Sequence, residues 1–191
     1  MPKGRRAPRV IAGEAGGRRL AVPPGEKVRP TSDRVKEAVF AALGHDRLAG
    51  ARVLDLYAGS GALALEAISR GASSALLVER DREVARAIAA NVEATGMADR
   101  ARLRVGSVAA VLAEAPEAPF DLVFLDPPYD LPPGDLSAVL LRLAEGGWAA
   151  AGATLVIERA AAAPIPELPP GWRSTWERCY GDTLMLFAQQ E

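Results

Sequence analysis

The stretch that decides the fold is RVLDLYAGSGALALEAISRG, residues 52–71. Its first five residues, 52–56, have the length and apolar composition of a buried strand. Glycines follow at positions 59 and 61, and residues 62–70 predict a helix that ends at Gly71. Glycines in such a turn let a ligand approach the backbone closely. The stretch therefore predicts a strand, a tight binding turn and a helix in succession.

The alternation of strand and helix continues outward from this unit. Further strands are predicted at 75–79, 101–105, 120–125 and 154–158, with helices at 82–95, 108–114 and 136–145. This order is typical of a mainly parallel sheet with helices on both faces. Beyond a Pro-rich loop at 164–170, the tail predicts an antiparallel hairpin with strands at 172–178 and 183–188. We therefore predict an α/β fold.

The N-terminal part departs from this pattern. Residues 9–22 predict two short strands around a Gly-rich turn, closed by prolines 23 and 24. Residues 34–43 then predict an amphipathic helix, with Ser32 or Asp33 as its N-cap. We expect an N-terminal β-hairpin extension over residues 1–28, followed by the main domain over residues 29–191.

The composition of the 191 residues excludes several classes of protein. One cysteine, Cys179, rules out a disulfide framework, and one histidine, His45, disfavours a histidine-based zinc site, so no metal is expected. No apolar run approaches the length of a membrane span, and the basic N-terminus is not followed by the apolar segment of a signal peptide. We expect a cytoplasmic protein, and a monomer because no heptad pattern is sustained.

The net charge of −1 conceals an uneven distribution. Residues 1–36, the basic segment, carry ten lysines and arginines against three acids, so this segment is +7 and the remainder is −8. Such asymmetry favours a polyanionic partner, here a nucleic acid. The candidate contacts with its phosphates are the arginines of this segment: Arg5, Arg6, Arg9, Arg18, Arg19 and Arg29.

Two acids near the ends of the first two predicted strands indicate the kind of ligand. Asp55 lies at the end of the first strand, one residue before Leu56, and Glu79 is the last residue of the second, where a carboxylate suits a bidentate bond to ribose hydroxyls. The turn at Gly59-Ser60-Gly61 also fits the looser dinucleotide pattern, so a nicotinamide-dependent oxidoreductase stays open as an alternative. However, Asp55 would repel a pyrophosphate, whereas it could order an ammonium group. S-adenosylmethionine carries a ribose, an adenine and an amino acid without phosphate, and it fits better.

The tip of the fourth predicted strand carries the sequence Asp126-Pro127-Pro128-Tyr129. A nucleobase amino group is a poor nucleophile, so a site must hold and polarise both of its N–H bonds. The Asp126 carboxylate can accept one bond and the Pro127 carbonyl the other. Pro128 fixes that carbonyl, and Tyr129 can stack on the base. An ordinary turn after a strand is the alternative interpretation of the same four residues.

These motifs together resemble a known family. The order of residues 55–61, Glu79 and residues 126–129 is similar to that of the class I S-adenosylmethionine-dependent methyltransferases. RVIAG (9–13), GRRL (17–20) and RPTSDRVKEAVF (29–40) resemble in particular the bacterial 16S ribosomal RNA guanine-N2-methyltransferases. The resemblance covers nearly the whole chain, and its most specific part is the block 29–40.

The resemblance implies a seven-stranded, Rossmann-like sheet whose last strand is antiparallel. It also implies a role for particular residues. Thr31 and Arg34 would close over the cofactor or the target base, and Ser107 would stand where relatives carry an aspartate against adenine. The methionine part of the cofactor would lie against the first strand and the glycine turn, at Asp55, Tyr57, Gly59, Ser60 and Gly61. Ribosomal RNA or the small ribosomal subunit would be the substrate.

Two other functions remain open from the residues. The sequence at 126–129 recognises an amino group on a planar base, and N6 of adenine in DNA would satisfy it equally. Against this stands the length of the chain, which leaves little room for a domain that reads duplex sequence. A non-catalytic RNA-binding module is the remaining alternative.

Overall fold

A computed structural model describes residues 7–22, 32–128 and 131–190 of the chain. Within these residues the fold has five helices and seven strands. The helices are α1 Asp33–Leu43, α2 Ala62–Ser69, α3 Arg82–Thr95, α4 Val108–Leu112 and α5 Pro133–Glu145. The strands are β1 Arg52–Leu56, β2 Ser74–Glu79, β3 Ala101–Val105, β4 Phe120–Leu125, β5 Ala149–Ala160, β6 Trp172–Tyr180 and β7 Thr183–Gln190.

All seven strands form one sheet in the order β3-β2-β1-β4-β5-β7-β6. The strands β1 to β5 pair in parallel, while β7 pairs antiparallel with both β5 and β6. The chain steps outward from β1 to β3 and then returns to the other side of β1 for β4. The carboxyl ends of β1 and β4 therefore flank a topological switch point, where ligands bind in open α/β sheets. The predicted fold class is confirmed.

Helices cover both faces of the sheet, as predicted. Side chains of α1, α2 and α3 pack with Val53, Leu77 and Leu122 in one apolar cluster. Side chains of α4 and α5 pack on the opposite face, where Leu54 and Val123 point. The alternation follows from the two-residue period of a strand, which sends neighbouring side chains of β1 and β4 to opposite faces. Because both faces are covered, these strands are apolar almost throughout.

Several element boundaries differ from the prediction. Helix α4 ends at Leu112, not Glu114, because the chain approaches Pro116 and leaves the helix early. Strand β5 begins at Ala149, five residues before the predicted start, and an irregularity in its pairing with β4 lies between Phe120 and Leu122. The N-cap of α1 is Ser32, one of the two predicted residues, and its side chain accepts from the Val35 amide.

The two predicted N-terminal strands are reduced to a single antiparallel bridge. This bridge joins Arg9 to Arg19 within residues 7–22, which we call the arm. The ladder extends no further because the amides of Ile11 and Ala12 donate to the Glu66 carboxylate of α2, and the Ala15 amide donates to the Ser69 hydroxyl. Side chains of α2 thus hold the arm in addition to the backbone bonds that Val10, Gly17 and Leu20 donate across it. The rest of the predicted extension, residues 1–6 and 23–28, lies outside the described residues.

Candidate active site

A cleft of about 790 Å³ opens at the carboxyl edge of the sheet, beside the switch point. Its walls are the tips of β1 to β4 together with the facing ends of α4 and α5. The volume suits a ligand of cofactor size. Seven of the residues predicted for the site line this cleft: Tyr57, Gly59, Glu79, Ser107, Asp126, Pro127 and Pro128.

The turn after β1, residues 57–61, has an unusual backbone. Tyr57, Gly59 and Gly61 have positive φ angles of 65°, 57° and 75°. Tyr57 is the one non-glycine residue with such an angle in the described part of the chain, and this conformation is strained for a bulky residue. At Gly61 a Cβ atom would lie 3.0 Å from Cδ2 of Leu77, so a larger residue would press on the sheet. The turn is therefore built for close approach of the backbone to a ligand.

Asp55 lies beneath this turn and is not part of the cleft wall. It is 1% exposed, and its Oδ2 accepts from the Ala64 amide at 3.1 Å. Burial raises the pKa of this carboxyl to about 8; the Ala64 hydrogen bond opposes the rise, and the nearby Glu79 carboxylate adds to it. The Asp55 carboxyl therefore lies behind the turn and holds its proton more tightly than it would in solvent.

Glu79 is held in place by two backbone amides. Its Oε2 accepts from Gly59 at 3.2 Å, and its Oε1 accepts from Asp81 at 2.8 Å. Each carboxylate oxygen can accept a second bond, so the group keeps capacity for two hydroxyls of a ligand in the cleft. The first of these amides belongs to the glycine turn, so Glu79 also fixes the shape of that turn.

Ser107 and the tip of β4 form the other walls of the cleft. Ser107 is the N-cap of α4, and its Oγ accepts from the Ala110 amide at 3.2 Å. Asp126 and Pro128 are half-buried and Pro127 is buried. The Pro128 carbonyl accepts from the Leu131 amide at 2.9 Å, which fixes the chain after the second proline. Tyr129, the fourth predicted residue of this motif, lies outside the described residues.

Besides Asp55, three described residues of the predicted cofactor set do not line the cleft: Ser60, Gly61 and Arg34. Ser60 and Gly61 lie in the turn, with Ser60 buried against α3. Arg34 is exposed in the first turn of α1, away from the cleft wall, and Thr31 lies outside the described residues. The structure therefore gathers most of the predicted cofactor set at one edge and leaves Arg34 apart.

The cleft also contains charged residues that the sequence reasoning missed. They are Arg80 and Asp81 after β2, and Asp135 and Arg142 on α5. Asp81 was detectable, because it is the N-cap of α3 and accepts from the amides of Glu83 and Val84. The α5 residues carried no such signal. Burial raises the pKa of Tyr57; Asp135 adds to the rise, and Arg80 opposes it, which places both charges near this ring.

The arm presents three exposed arginines of the predicted RNA set. Arg9 donates to Asp33 at 2.9 Å, Arg18 donates to the Ala94 carbonyl of α3, and Arg19 completes the group. Arg5, Arg6 and Arg29 lie outside the described residues. Lys36, which the charge analysis counted in the basic segment, is fully buried beside Glu66 and adds nothing to the surface.

Two kinds of feature are absent from the described residues, 7–22, 32–128 and 131–190. They contain no group of three or more His, Cys, Asp or Glu side chains placed to hold a metal ion. None of the helices in these ranges is long and apolar enough to cross a membrane.

The order of the seven strands, the glycine turn after β1 and the acid at the end of β2, Glu79, define a class I methyltransferase fold. A family model described as conserved hypothetical protein 95 matches residues 8–189. The chain is 37% identical over 183 residues to Ribosomal RNA small subunit methyltransferase D of Escherichia coli (strain K12), covering 96% of this chain and 90% of that protein. The chain therefore belongs to this family of ribosomal RNA methyltransferases.

Solved structures agree with this assignment. The Escherichia coli protein yhhF superposes with a TM-score of 0.86 at 35% identity, covering 96% of this chain and 98% of that one. An O-methyltransferase from Bacillus cereus in complex with S-adenosylhomocysteine shares the fold at 14% identity, with a TM-score of 0.65 and coverage of 85% of this chain and 83% of that one. The resemblance stated from the sequence is confirmed, and it favours methyl transfer over the nicotinamide interpretation of the glycine turn.

Proposed function

We propose that the chain transfers a methyl group from S-adenosylmethionine to the N2 amino group of a guanine in small-subunit ribosomal RNA. The family assignment supports ribosomal RNA as the substrate class. The observation that carries the chemistry is the position of Asp126, Pro127 and Pro128 in the wall of the cleft that also holds Glu79 and the glycine turn.

The groups of the cleft fit S-adenosylmethionine better than a dinucleotide. Two carboxylates in the cleft wall, Glu79 and Asp81, lie beside the glycine turn and would repel a pyrophosphate. A ribose diol can instead donate to Glu79. Asp55, whose pKa burial raises to about 8, would ionise beside the ammonium of the methionine part, which needs a negative partner. When bound, the cofactor supplies an electrophilic methyl group, whose S–C bond breaks as the new N–C bond forms.

The chain's own residues orient the base and receive the proton. Asp126 accepts one N–H of the guanine amino group, and the Pro127 carbonyl accepts the other, so the nitrogen lone pair faces the methyl donor. Tyr129 stacks on the base, which has left its helix to enter the cleft. The proton released from nitrogen passes to the Asp126 carboxylate. The exposed arginines of the arm, Arg9, Arg18 and Arg19, contact RNA phosphates.

The test compares one substitution at the two ends of β4. Asp126→Asn should lower methyl transfer to small ribosomal subunits at least about 100-fold, with little change in cofactor affinity. Asp121→Asn is the matched control, because Asp121 lies at the opposite end of the same strand, where it accepts from the Arg52 amide. Transfer is measured with labelled cofactor, and mass spectrometry of the nucleosides identifies the product.

Three results would contradict the proposal. Full activity of Asp126→Asn would remove the role given to this carboxylate. Methylated N6-adenine in duplex DNA, without product on ribosomal RNA, would favour the alternative substrate. Cofactor binding without transfer to any RNA would favour a non-catalytic RNA-binding module.

A further inference from the structure

Asn91 of α3 is a buried polar side chain that the proposed reaction does not use. It is 1% exposed, and its amide makes three hydrogen bonds. Nδ2 donates to the carbonyls of Ala21 and Ser60, both at 2.9 Å, and Oδ1 accepts from the Ala21 amide at 2.7 Å. One side chain therefore joins the end of the arm to the glycine turn of the cleft.

On the side of the turn, Asn91 complements Glu79. Glu79 holds the Gly59 amide from within the cleft, and Asn91 holds the Ser60 carbonyl from α3. The two side chains therefore form hydrogen bonds with adjacent residues of a turn whose backbone is strained at Tyr57. A ligand that binds to the turn and fixes the Ser60 carbonyl would therefore also restrict the Asn91 amide, which is bonded to that carbonyl.

On the side of the arm, Asn91 binds both backbone groups of Ala21, as a neighbouring strand would. Two further anchors of the arm lie on α2: the Glu66 carboxylate holds the amides of residues 11 and 12, and the Ser69 hydroxyl holds the amide of Ala15. Ala21 lies two residues after Arg19, so a shift at Ala21 also displaces the exposed arginines at 18 and 19.

We propose that Asn91 is a positioning residue that couples the arm to the glycine turn, so that cofactor binding and RNA binding strengthen one another. A carboxamide is planar, and it cannot rotate to follow Ser60 without changing its bonds to Ala21. When a ligand restricts the motion of the glycine turn, the arm is therefore restricted to the conformation that binds RNA. RNA bound to the arm restricts the glycine turn in the same way. This inference rests on the proposed function, which places the cofactor at the turn and RNA on the arm.

Coupling of this kind is reciprocal, so it can be measured from either ligand. With S-adenosylhomocysteine as the probe, small ribosomal subunits should bind the wild-type protein about fivefold more tightly or better. Saturation with subunits should raise the affinity for S-adenosylhomocysteine by the same factor. In Asn91→Ala both factors should fall to about one, although each ligand still binds.

Thr95→Val is the matched control. Thr95 is buried one helical turn further along α3, and its Oγ1 donates to the carbonyls of Asn91 and Val92 within the same helix. The substitution removes buried hydrogen bonds from α3 without touching the arm or the turn. This variant should retain the wild-type coupling factor.

Hydrogen exchange in the wild-type protein tests the coupling without any substitution. Addition of S-adenosylhomocysteine should slow exchange of amides both in the turn, residues 58–61, and in the arm, residues 17–21. An arm that does not respond to the probe would overturn the inference, as would an equal response of the arm in Asn91→Ala. Methyl transfer by the wild-type protein tests the proposed function separately. An active enzyme without coupling would refute only the role of Asn91, whereas a protein that binds neither ligand would refute both.

Discussion

Two buried carboxylates, Glu66 beneath the arm and Asp55 beneath the glycine turn, lie on the same face of the sheet and differ in how they are satisfied. Glu66 is 0% exposed, and it accepts from two arm amides and from Nε of Arg70, at distances of 2.6 to 3.1 Å. The ammonium of Lys36 lies 3.9 Å away, itself fully buried. A carboxylate with this many donors is a structural anchor.

Asp55 has far fewer partners. The Ala64 amide donates to it, and within the described residues no salt bridge joins it to a basic side chain. Its raised pKa, about 8, follows mainly from burial, which the single Ala64 hydrogen bond offsets only in part. A buried acid that the protein itself leaves undersatisfied marks a site where a ligand can supply the missing charge. The comparison therefore distinguishes Glu66, a carboxylate that stabilises the fold, from Asp55, a carboxyl group whose missing partner a ligand can supply.

The largest expected effect is on the Glu66 anchor. Glu66→Ala leaves the Lys36 ammonium buried without its partner and two arm amides without an acceptor, so the free energy of unfolding should fall by about 3–5 kcal/mol. Urea denaturation measures this change. Glu117→Ala is the control, because the Glu117–Arg102 pair has side chains 84% and 78% exposed, and its removal should cost less than about 0.5 kcal/mol. If Glu66→Ala lowers the free energy of unfolding by less than about 1 kcal/mol, Glu66 is not the structural anchor described above.

A second effect concerns the pH dependence that Asp55 confers. The folded state raises the Asp55 pKa from 3.8 to about 8, so it holds a proton that the unfolded state has already released. This contribution to stability is fully present below about pH 4 and is lost as pH rises towards 8.

Asp55→Asn removes that titration. The free energy of unfolding of the variant, minus that of the wild type, should grow with pH between about 4 and 8, by about 1.4 kcal/mol per pH unit at the steepest. Urea denaturation at several pH values without ligand measures the difference. Parallel curves for the two proteins would show that Asp55 is not the undersatisfied acid described above.

A smaller effect is expected at Gly13 of the arm. Its φ is +82°, and a Cβ atom there would lie 1.7 Å from the Ser69 carbonyl oxygen of α2. Gly13→Ala should lower the free energy of unfolding by about 1–3 kcal/mol and speed tryptic cleavage at the arm arginines. Gly17→Ala is the control, since Gly17 has a similar φ of +86° but no atom within 4 Å of the added Cβ. Equal effects would mean that the contact with α2 does not hold the arm.

The smallest effect on stability is expected at the surface of the arm. Arg19→Ala should leave the unfolding curve unchanged and weaken binding to small ribosomal subunits, with the salt slope of log affinity reduced by about one. Arg102→Ala on β3 is the control, as another exposed arginine outside the arm. If both variants bind equally well, Arg19 does not contact RNA.

The sequence predicted the sheet well because its signals are local. Strands β1, β2 and β4 are short, mainly apolar runs, and the register of such runs follows from packing both faces. The prediction for residues 9–22 was less accurate, because the strand-like pattern there reflects an extended chain whose amides bind Glu66 and Ser69. Glu66 and Ser69 lie more than 50 residues along the chain from the amides that they bind, and no local sequence pattern predicts these contacts.

The candidate site shows the same division. Glu79 and the 126–128 motif were identifiable because Glu79 ends β2, the motif follows β4, and the carboxyl ends of these strands meet at one edge of the sheet. Asp135 and Arg142 were not, because only the packing of α5 against α4 brings them into the cleft. Lys36 was counted among the surface charges of the basic segment, whereas the fold buries it beside Glu66.

The sequence by itself determined the order of strands and helices, the position of the glycine turn and the acids at strand ends, because hydrophobic period and backbone freedom are properties of neighbouring residues. The tertiary structure alone decided which acids are satisfied. Asp55 and Glu66 are both acids in apolar surroundings, eleven residues apart. What separates them is the set of donors that distant segments bring to each, and this depends on how the arm, α1 and α2 pack together.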